Sequence, residues 1–290
     1  MKVLFTADLH LVPATRTRTL GVVRSWVDTY QPDALVVAGD TASAAQADGA
    51  LGAIRATFPE GPVAICLGNH DFWLNDDARP RCRDLDDVVD AFWVPAARAH
   101  NITLLDRTNL ELPSLTLAGA YGHYDFGFAV PGLTYGDEVI SSEDYLRGYC
   151  RSVLPLRWRD FQLMPADLDP WAVAAHEVGA AEKRLLAGGN RPTLFVTHTP
   201  PVRELLGIRP LGPAPVSPPP LAFFRAYLGN QSMGEMLQRH RQRLAGMVCG
   251  HTHRPAGPLY WQGIPAINIG SDYGAPRAAL YLEGCFSRVP

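Results

Sequence analysis

Asp8 and His10 stand one residue apart near the start of the chain, and His251 and His253 stand one residue apart near its end. Between them come Gly39-Asp40, Gly68-Asn69-His70-Asp71, and His198 in the stretch "VTHTPP". Taken singly these groups say little, since Gly-Asp is a common turn and a lone histidine is more often a satisfied structural residue. Gly-Asn-His-Asp is rarer, because it needs three uncommon residues in succession. What unites them is context, because each follows an apolar run: "VLF" (3–5), "ALVVA" (34–38), "PVAIC" (62–66), "TLFVT" (193–197) and "LAGMVC" (244–249). Carboxylates, imidazoles and one amide oxygen suit Mn, Fe, Zn, Co or Ni better than an all-oxygen Ca or Mg site. No cysteine joins the set, which argues against a structural thiolate zinc site. On an extended chain, Asp-x-His and His-x-His put both side chains on one side. Such a cluster should hold two ions about 3.5–4 Å apart, sharing one carboxylate and one hydroxide, which suits in-line attack on a phosphoester.

The surrounding sequence supplies elements to carry these residues. Leu20, Val22, Val23, Trp26, Val27 and Tyr30 recur at helical spacing, and Gln31-Pro32-Asp33 ends that helix. Helices are also predicted over about 44–57, 85–99, 143–153, 172–186 and 233–243. Further strands are predicted at 102–105, 115–121 and in "PLYWQ", "IPAINIG" and "RAALYLE" (within 258–283). Continuous apolar strands alternating with helices indicate an α/β fold with buried parallel strands, and such sheets place ligands at the carboxyl ends of their strands. No internal repeat or linker breaks the chain. Residues 1–290 are read as a single domain, with embellishments at about 122–168 and a Pro-rich surface loop at 207–220.

Composition narrows the function. A hydrophobic content of 47% with 19% charged residues describes an ordinary globular protein. The net charge of −3 provides no global basic field, which counts against extended nucleic-acid binding and a processive nuclease. Five cysteines without a C-x-x-C pair point to a reducing compartment and no disulfide framework. No secretory signal is visible, and no run approaches the ~20 apolar residues of a membrane span, so a cytoplasmic protein without membrane association is expected.

The ordered blocks Asp8-Leu9-His10, Gly39-Asp40, Gly68-Asn69-His70-Asp71, His198 and Gly250-His251-Thr252-His253 resemble those of the calcineurin-like metallophosphoesterases. The likeness covers residues 2 to about 273 and is weakest over 72–168 and 203–232. It implies a four-layer αββα sandwich with a dinuclear site at the C-terminal edge of the strands. Carried over residue by residue, Asp8, His10, Asp40 and His253 would hold one metal. Asp40 would bridge to the second, completed by Asn69, His198 and His251. His70 would not ligate metal but would assist at the scissile phosphate, by stabilising it or by protonating the leaving oxygen. The implied cofactors are two divalent or trivalent transition-metal ions, manganese first, then Fe, Zn, Co or Ni. The implied activity is that of a phosphodiesterase or phosphatase on a small or nucleotide phosphoester. Protein phosphatase, nuclease and a non-catalytic scaffold that kept the fold are the alternatives, because the fold does not choose among them.

One position departs from the pattern. Many members read G-D-x-x-D, and the second aspartate pairs with the catalytic histidine; here Ser43 stands in its place. His70 would then be mainly neutral, or would borrow Asp71 or Asp48. Asp71 is otherwise expected to orient its loop. His123 fits either a turn histidine between aromatics or a pocket lining, while His100, His176 and His240 fall on predicted helices as surface or packing residues. Arg147, Arg151, Arg157 and Arg159 read as a solvated helix face, with a phosphate clamp as the sharper alternative. Trp158 and Tyr149 among them leave base stacking open.

Overall fold

A computed structural model describes residues 1–151, 157–166, 168–208 and 218–290. Most of the expected Pro-rich loop (209–217) and the end of the helix expected over 143–153 lie outside the described residues. Two six-stranded sheets dominate the remainder. The first runs in the order β14 (Cys285–Val289), β13 (Ala278–Leu282), β1 (Lys2–Thr6), β2 (Ala34–Ala38), β3 (Val63–Cys66) and β4 (Thr103–Leu104). The second runs β11 (Ala256–Trp261), β12 (Ile264–Asn268), β10 (Leu244–Cys249), β9 (Thr193–Thr197), β6 (Thr116–Ala120) and β5 (Leu110–Glu111). Within them, β1 to β4 are parallel, as are β6, β9, β10 and β12.

Why these runs became central strands follows from their alternation. In β1 and β2, Val3, Phe5 and Val36 pack against Leu117, Leu194 and Val248 of the other sheet. The intervening Leu4, Leu35 and Val37 face outward onto α1 (Arg16–Tyr30) and α2 (Ala47–Thr57). On the far side, Ala118, Phe195 and Met247 are covered by α7 (Pro170–Ala187) and α9 (Gln231–Arg239). A strand buried on both faces must be apolar throughout, and the result is helix, sheet, sheet, helix. The four-layer α/β sandwich expected from the sequence is thus the observed fold.

Local signals set the helix ends. Gln31 closes α1 in a left-handed conformation, its N–H donating to the Val27 carbonyl. Asp169 caps α7 through the N–H groups of Trp171 and Ala172, with Pro170 at the first helical position. The helix expected over 85–99 is divided into α3 (Leu85–Val88), a π turn (Val89–Trp93) and α4 (Val94–Ala99). Pro95 explains the break, since it lacks an N–H to donate and its ring crowds the carbonyl four residues back. The turn carries fully buried Trp93, whose indole N–H donates to the Asp71 carbonyl at 2.8 Å.

The middle of the chain adds a hairpin, β7 (Thr134–Tyr135) with β8 (Glu138–Val139), then α5 (Ser142–Arg147) and α6 (Asp160–Leu163). Their aromatic side chains pack with α8 (Pro220–Phe224) and Tyr227 into a separate cluster that includes Tyr124, Phe126, Tyr145 and Phe223. The helix expected over 143–153 stops early because Gly148 turns left-handed at its end. The final strand, β14, has no counterpart among the strands predicted from the sequence; its Phe286 packs against Phe5 between the sheets.

Candidate metal centre

The loops that follow β1, β2, β3, β9 and β10 meet at one edge of the sandwich. Asp8 and His10 donate their backbone N–H groups to the Gly39 and Asp40 carbonyls at 3.0 and 2.9 Å, and Gly250 donates to the His198 carbonyl at 2.9 Å. One link joins the two sheets across this edge, where the His251 N–H donates to Asp8 Oδ1 at 2.9 Å. Asp8, His10, Asp40, His251 and His253 all have left-handed φ, between 42° and 71°. The His-x-His and Asp-x-His pairs are therefore not on extended chain, which corrects the sequence reading. Tight turns aim the side chains instead, a backbone strain typical of functional sites. Gly39 and Gly250 permit the crowding. A Cβ at Gly250 would lie 2.6 Å from Asp8 Oδ2, and one at Gly39, itself at φ +84°, would collide with the His198 ring.

Two groups of donors result. In the first, ligand atoms of Asp8, His10, Asp40 and His253 lie within 4.8 Å of one another and could hold a metal ion. Asp8 Oδ2, His10 Nε2 and His253 Nδ1 are buried there without a hydrogen-bond partner. Buried polar atoms are normally satisfied, so three orphans converging on one point fit a cation.

In the second group, His198 Nε2 lies 3.3 Å from Asp40 Oδ1, 3.1 Å from Asn69 Oδ1 and 3.2 Å from His251 Nδ1. Backbone carbonyls decide which ring nitrogens are free. His198 donates from Nδ1 to Ala38 at 3.1 Å, and His251 from Nε2 to Tyr227 at 3.0 Å. The other nitrogen of each ring faces the cluster and, once unprotonated, can offer it a lone pair. Asp40 belongs to both groups, because its other oxygen, Oδ2, lies 3.7 Å from His10 Nε2. The electrostatics match this placement. Burial opposes a charged His198, yet Asp40 and Asp8 outweigh it and lift the group to about 9. Burial raises Asp8 to about 7 and lowers His10 and His251 to about 3. A site that binds a proton this strongly at His198 Nε2 has the negative potential that attracts a cation.

Asp160, which no sequence motif marks, is the residue that orients Asn69. It is 2% exposed and accepts from Asn69 Nδ2 at 3.0 Å, Trp73 Nε1 at 2.7 Å and Trp158 Nε1 at 2.8 Å. A carboxylate only accepts, so the Asn69 amide must turn its N–H toward Asp160 and its oxygen toward His198 and His251. Burial nevertheless raises the Asp160 carboxyl. Asp160→Asn leaves a single acceptor oxygen for three N–H donors and so weakens that bias. The expected result is a metal affinity about 10–100-fold weaker by titration calorimetry, with circular dichroism showing that the variant folds; wild-type affinity would show that Asp160 does not orient Asn69.

His70 stands apart from the donors. Its backbone N–H donates to Asp40 Oδ1 at 2.9 Å, and its ring stacks on Trp73 with centroids 3.5 Å apart. Neither acid proposed as its partner serves it. Asp48 pairs with His100 at 2.9 Å, and the Asp71 carboxylate accepts the Ala42 and Gly68 N–H groups at 2.9 and 2.7 Å. Asp71 thus orients its loop, as expected, while among the described residues the acid nearest the His70 ring is Asp40, at 3.8 Å. His123 is buried 3.3 Å from the Tyr121 hydroxyl, pushed down to about 3 by burial, and lines a separate cavity with Arg79, Arg147 and Arg157. His240 pairs with Glu182, and His176 lies near Asp86 at the surface. The arginine group divides. Arg147 pairs with Glu143 and Arg151 is exposed, whereas Arg157 and Arg159 line the cleft over the metal centre.

The calcineurin-like phosphoesterase family model matches residues 1–255. The chain belongs to this family. No curated protein matches it by sequence. Its fold is similar to that of TT1561 of Thermus thermophilus (TM-score 0.53, 12% identity, 99% of this chain and 97% of that one). It is also similar to a dimetal phosphatase from Danio rerio, LOC 393393 (TM-score 0.51, 15% identity, 98% and 93%). Membership implies metal-dependent phosphoester hydrolysis. Among the described residues, no helix is long and apolar enough to cross a membrane.

Proposed function

We propose that the protein hydrolyses small phosphoesters with two transition-metal ions. Asp8, His10, Asp40 and His253 would hold one ion, Asn69, His198 and His251 would hold the other, and Asp40 would serve both. The observation that carries this reading is the Asp40 carboxylate, which reaches both donor groups with different oxygens. When bound, two such ions supply Lewis acidity and a nucleophilic water at neutral pH. The residues do the rest. Asp40, Asp8 and the carbonyl-tethered histidines fix the geometry. His70, held beside Asp40 by its backbone N–H and on Trp73 by stacking, approaches the phosphate and supplies the leaving oxygen with a proton. A scaffold that had abandoned catalysis would not need to keep orphaned donor atoms buried at one point.

Chelator-treated protein should hydrolyse neither p-nitrophenyl phosphate nor bis(p-nitrophenyl) phosphate, and adding Mn, Fe, Co, Ni or Zn should restore turnover of at least one. Manganese is proposed as the best of these. Activity that survives complete chelation would refute metal-dependent hydrolysis.

A further inference from the structure

The cleft over the metal centre has two lobes separated by a ridge of His70, Trp73, Arg159 and Tyr273, which line both. One lobe, about 340 Å³, is bordered by the metal-site residues Asn69, His251 and His253 and walled by Trp158 and Phe224. The other, about 530 Å³, is bordered by His10 and lined by Leu11, Val12, Thr15 and Gln46. Residues of the candidate metal centre thus border both lobes, and the two lobes meet at His70.

We infer that the substrate is a phosphodiester with an organic substituent in each lobe, a planar aromatic group lying against Trp158. This rests on the phosphoesterase reading above. A monoester carries one organic group and fills one lobe, leaving the other wall in water. Both lobes have apolar surface to cover: Val12 is 43% exposed in the second lobe and Tyr273 61% exposed on the ridge. The aromatic wall is fixed in advance. The Trp158 indole N–H is held by Asp160, its ring stacks on Tyr227 at 5.0 Å and 13°, and Phe224 lies 5.6 Å from it. A rigid aromatic wall binds a planar group with little loss of side-chain freedom. On the ridge, the Arg159 guanidinium lies 5.2 Å over the Trp73 ring, where it can meet the single charge of a diester. In the reaction, water adds its oxygen to phosphorus and the bond from phosphorus to one ester oxygen breaks. The electron pair leaves with that oxygen, which takes up a proton, so the products are a phosphomonoester and an alcohol or phenol.

Two comparisons on the Mn-loaded protein test this. With the leaving group held constant, kcat/KM for bis(p-nitrophenyl) phosphate should exceed that for p-nitrophenyl phosphate by about tenfold or more. As competitive inhibitors, diphenylphosphinate should bind at least about tenfold more tightly than methyl(phenyl)phosphinate, because its second ring fills the second lobe. Val12→Trp and Gln46→Trp, on separate segments of that lobe, should each shrink this advantage to about twofold, with unfolding midpoints confirming that both variants fold. A monoester hydrolysed as well as the diester, or a second ring that gives no advantage, overturns the inference and leaves the phosphoesterase reading standing. An advantage undiminished in both variants does the same. Turnover of neither ester overturns the phosphoesterase reading itself.

Discussion

Asp40→Asn should abolish metal binding at both sites together, and with it hydrolysis, by about 1000-fold or more, equivalent to about 4 kcal/mol of transition-state stabilisation. The size of the effect follows from geometry. Asp40 is the only donor shared by the two groups, with Oδ1 toward His198 and Oδ2 toward His10. Its carboxyl is also ionised despite complete burial. Desolvation would raise it, but the charge and hydrogen bond of His198 hold it well below the ordinary carboxylate range. An asparagine of nearly the same shape keeps the packing and removes the charge that offsets two cations. The measurement is metal content per chain, alongside turnover of an aryl phosphoester. Loss of one ion with the other retained would show that Asp40 does not bridge.

The second large effect is expected at His70. His70→Asn should leave metal content near the wild-type value, because the ring is outside both donor groups and its tie to Asp40 is through the backbone N–H. Turnover should fall by about 10²–10⁴-fold for esters with poor leaving groups, which need the proton. It should fall much less for nitrophenyl esters, whose oxygens leave as anions. Equal losses across the series would assign His70 to electrostatic stabilisation instead. Among the described residues, no acid lies closer to the ring than Asp40, at 3.8 Å. With Ser43 in the family's aspartate position and Asp48 and Asp71 otherwise engaged, His70 rests on Trp73 and on the distant Oδ2 of Asp40.

Much of this site is legible in the sequence because strands and ligands are both local features. An apolar run followed by Asp, Asn or His is visible in a few residues, and five such junctions in order name the donors that the fold brings together. What cannot be read is equally specific. Asp160 lies 91 residues from Asn69, in a stretch where the family resemblance is weakest, and no spacing links the two. Tyr227 acts on His251 through a carbonyl, which no side-chain pattern reveals. The embellished middle reads as peripheral in the sequence, yet its Asp160 is the acceptor that orients Asn69 in the second group. Left-handed backbone at Asp8, His10, His251 and His253 escapes notice because nothing marks a non-glycine residue for positive φ when packing imposes it. The π turn before Pro95 is hidden by an otherwise continuous helical period.

The proposed site joins seven residues, Asp8, His10, Asp40, Asn69, His198, His251 and His253, around two ions. Anomalous scattering from crystals of the Mn-loaded protein, collected at the manganese edge, tests it most directly. Two peaks about 3.5–4 Å apart are expected, with Asp40 between them, Asp8, His10 and His253 around one, and Asn69, His198 and His251 around the other. A single peak, or two peaks not joined by Asp40, would contradict it.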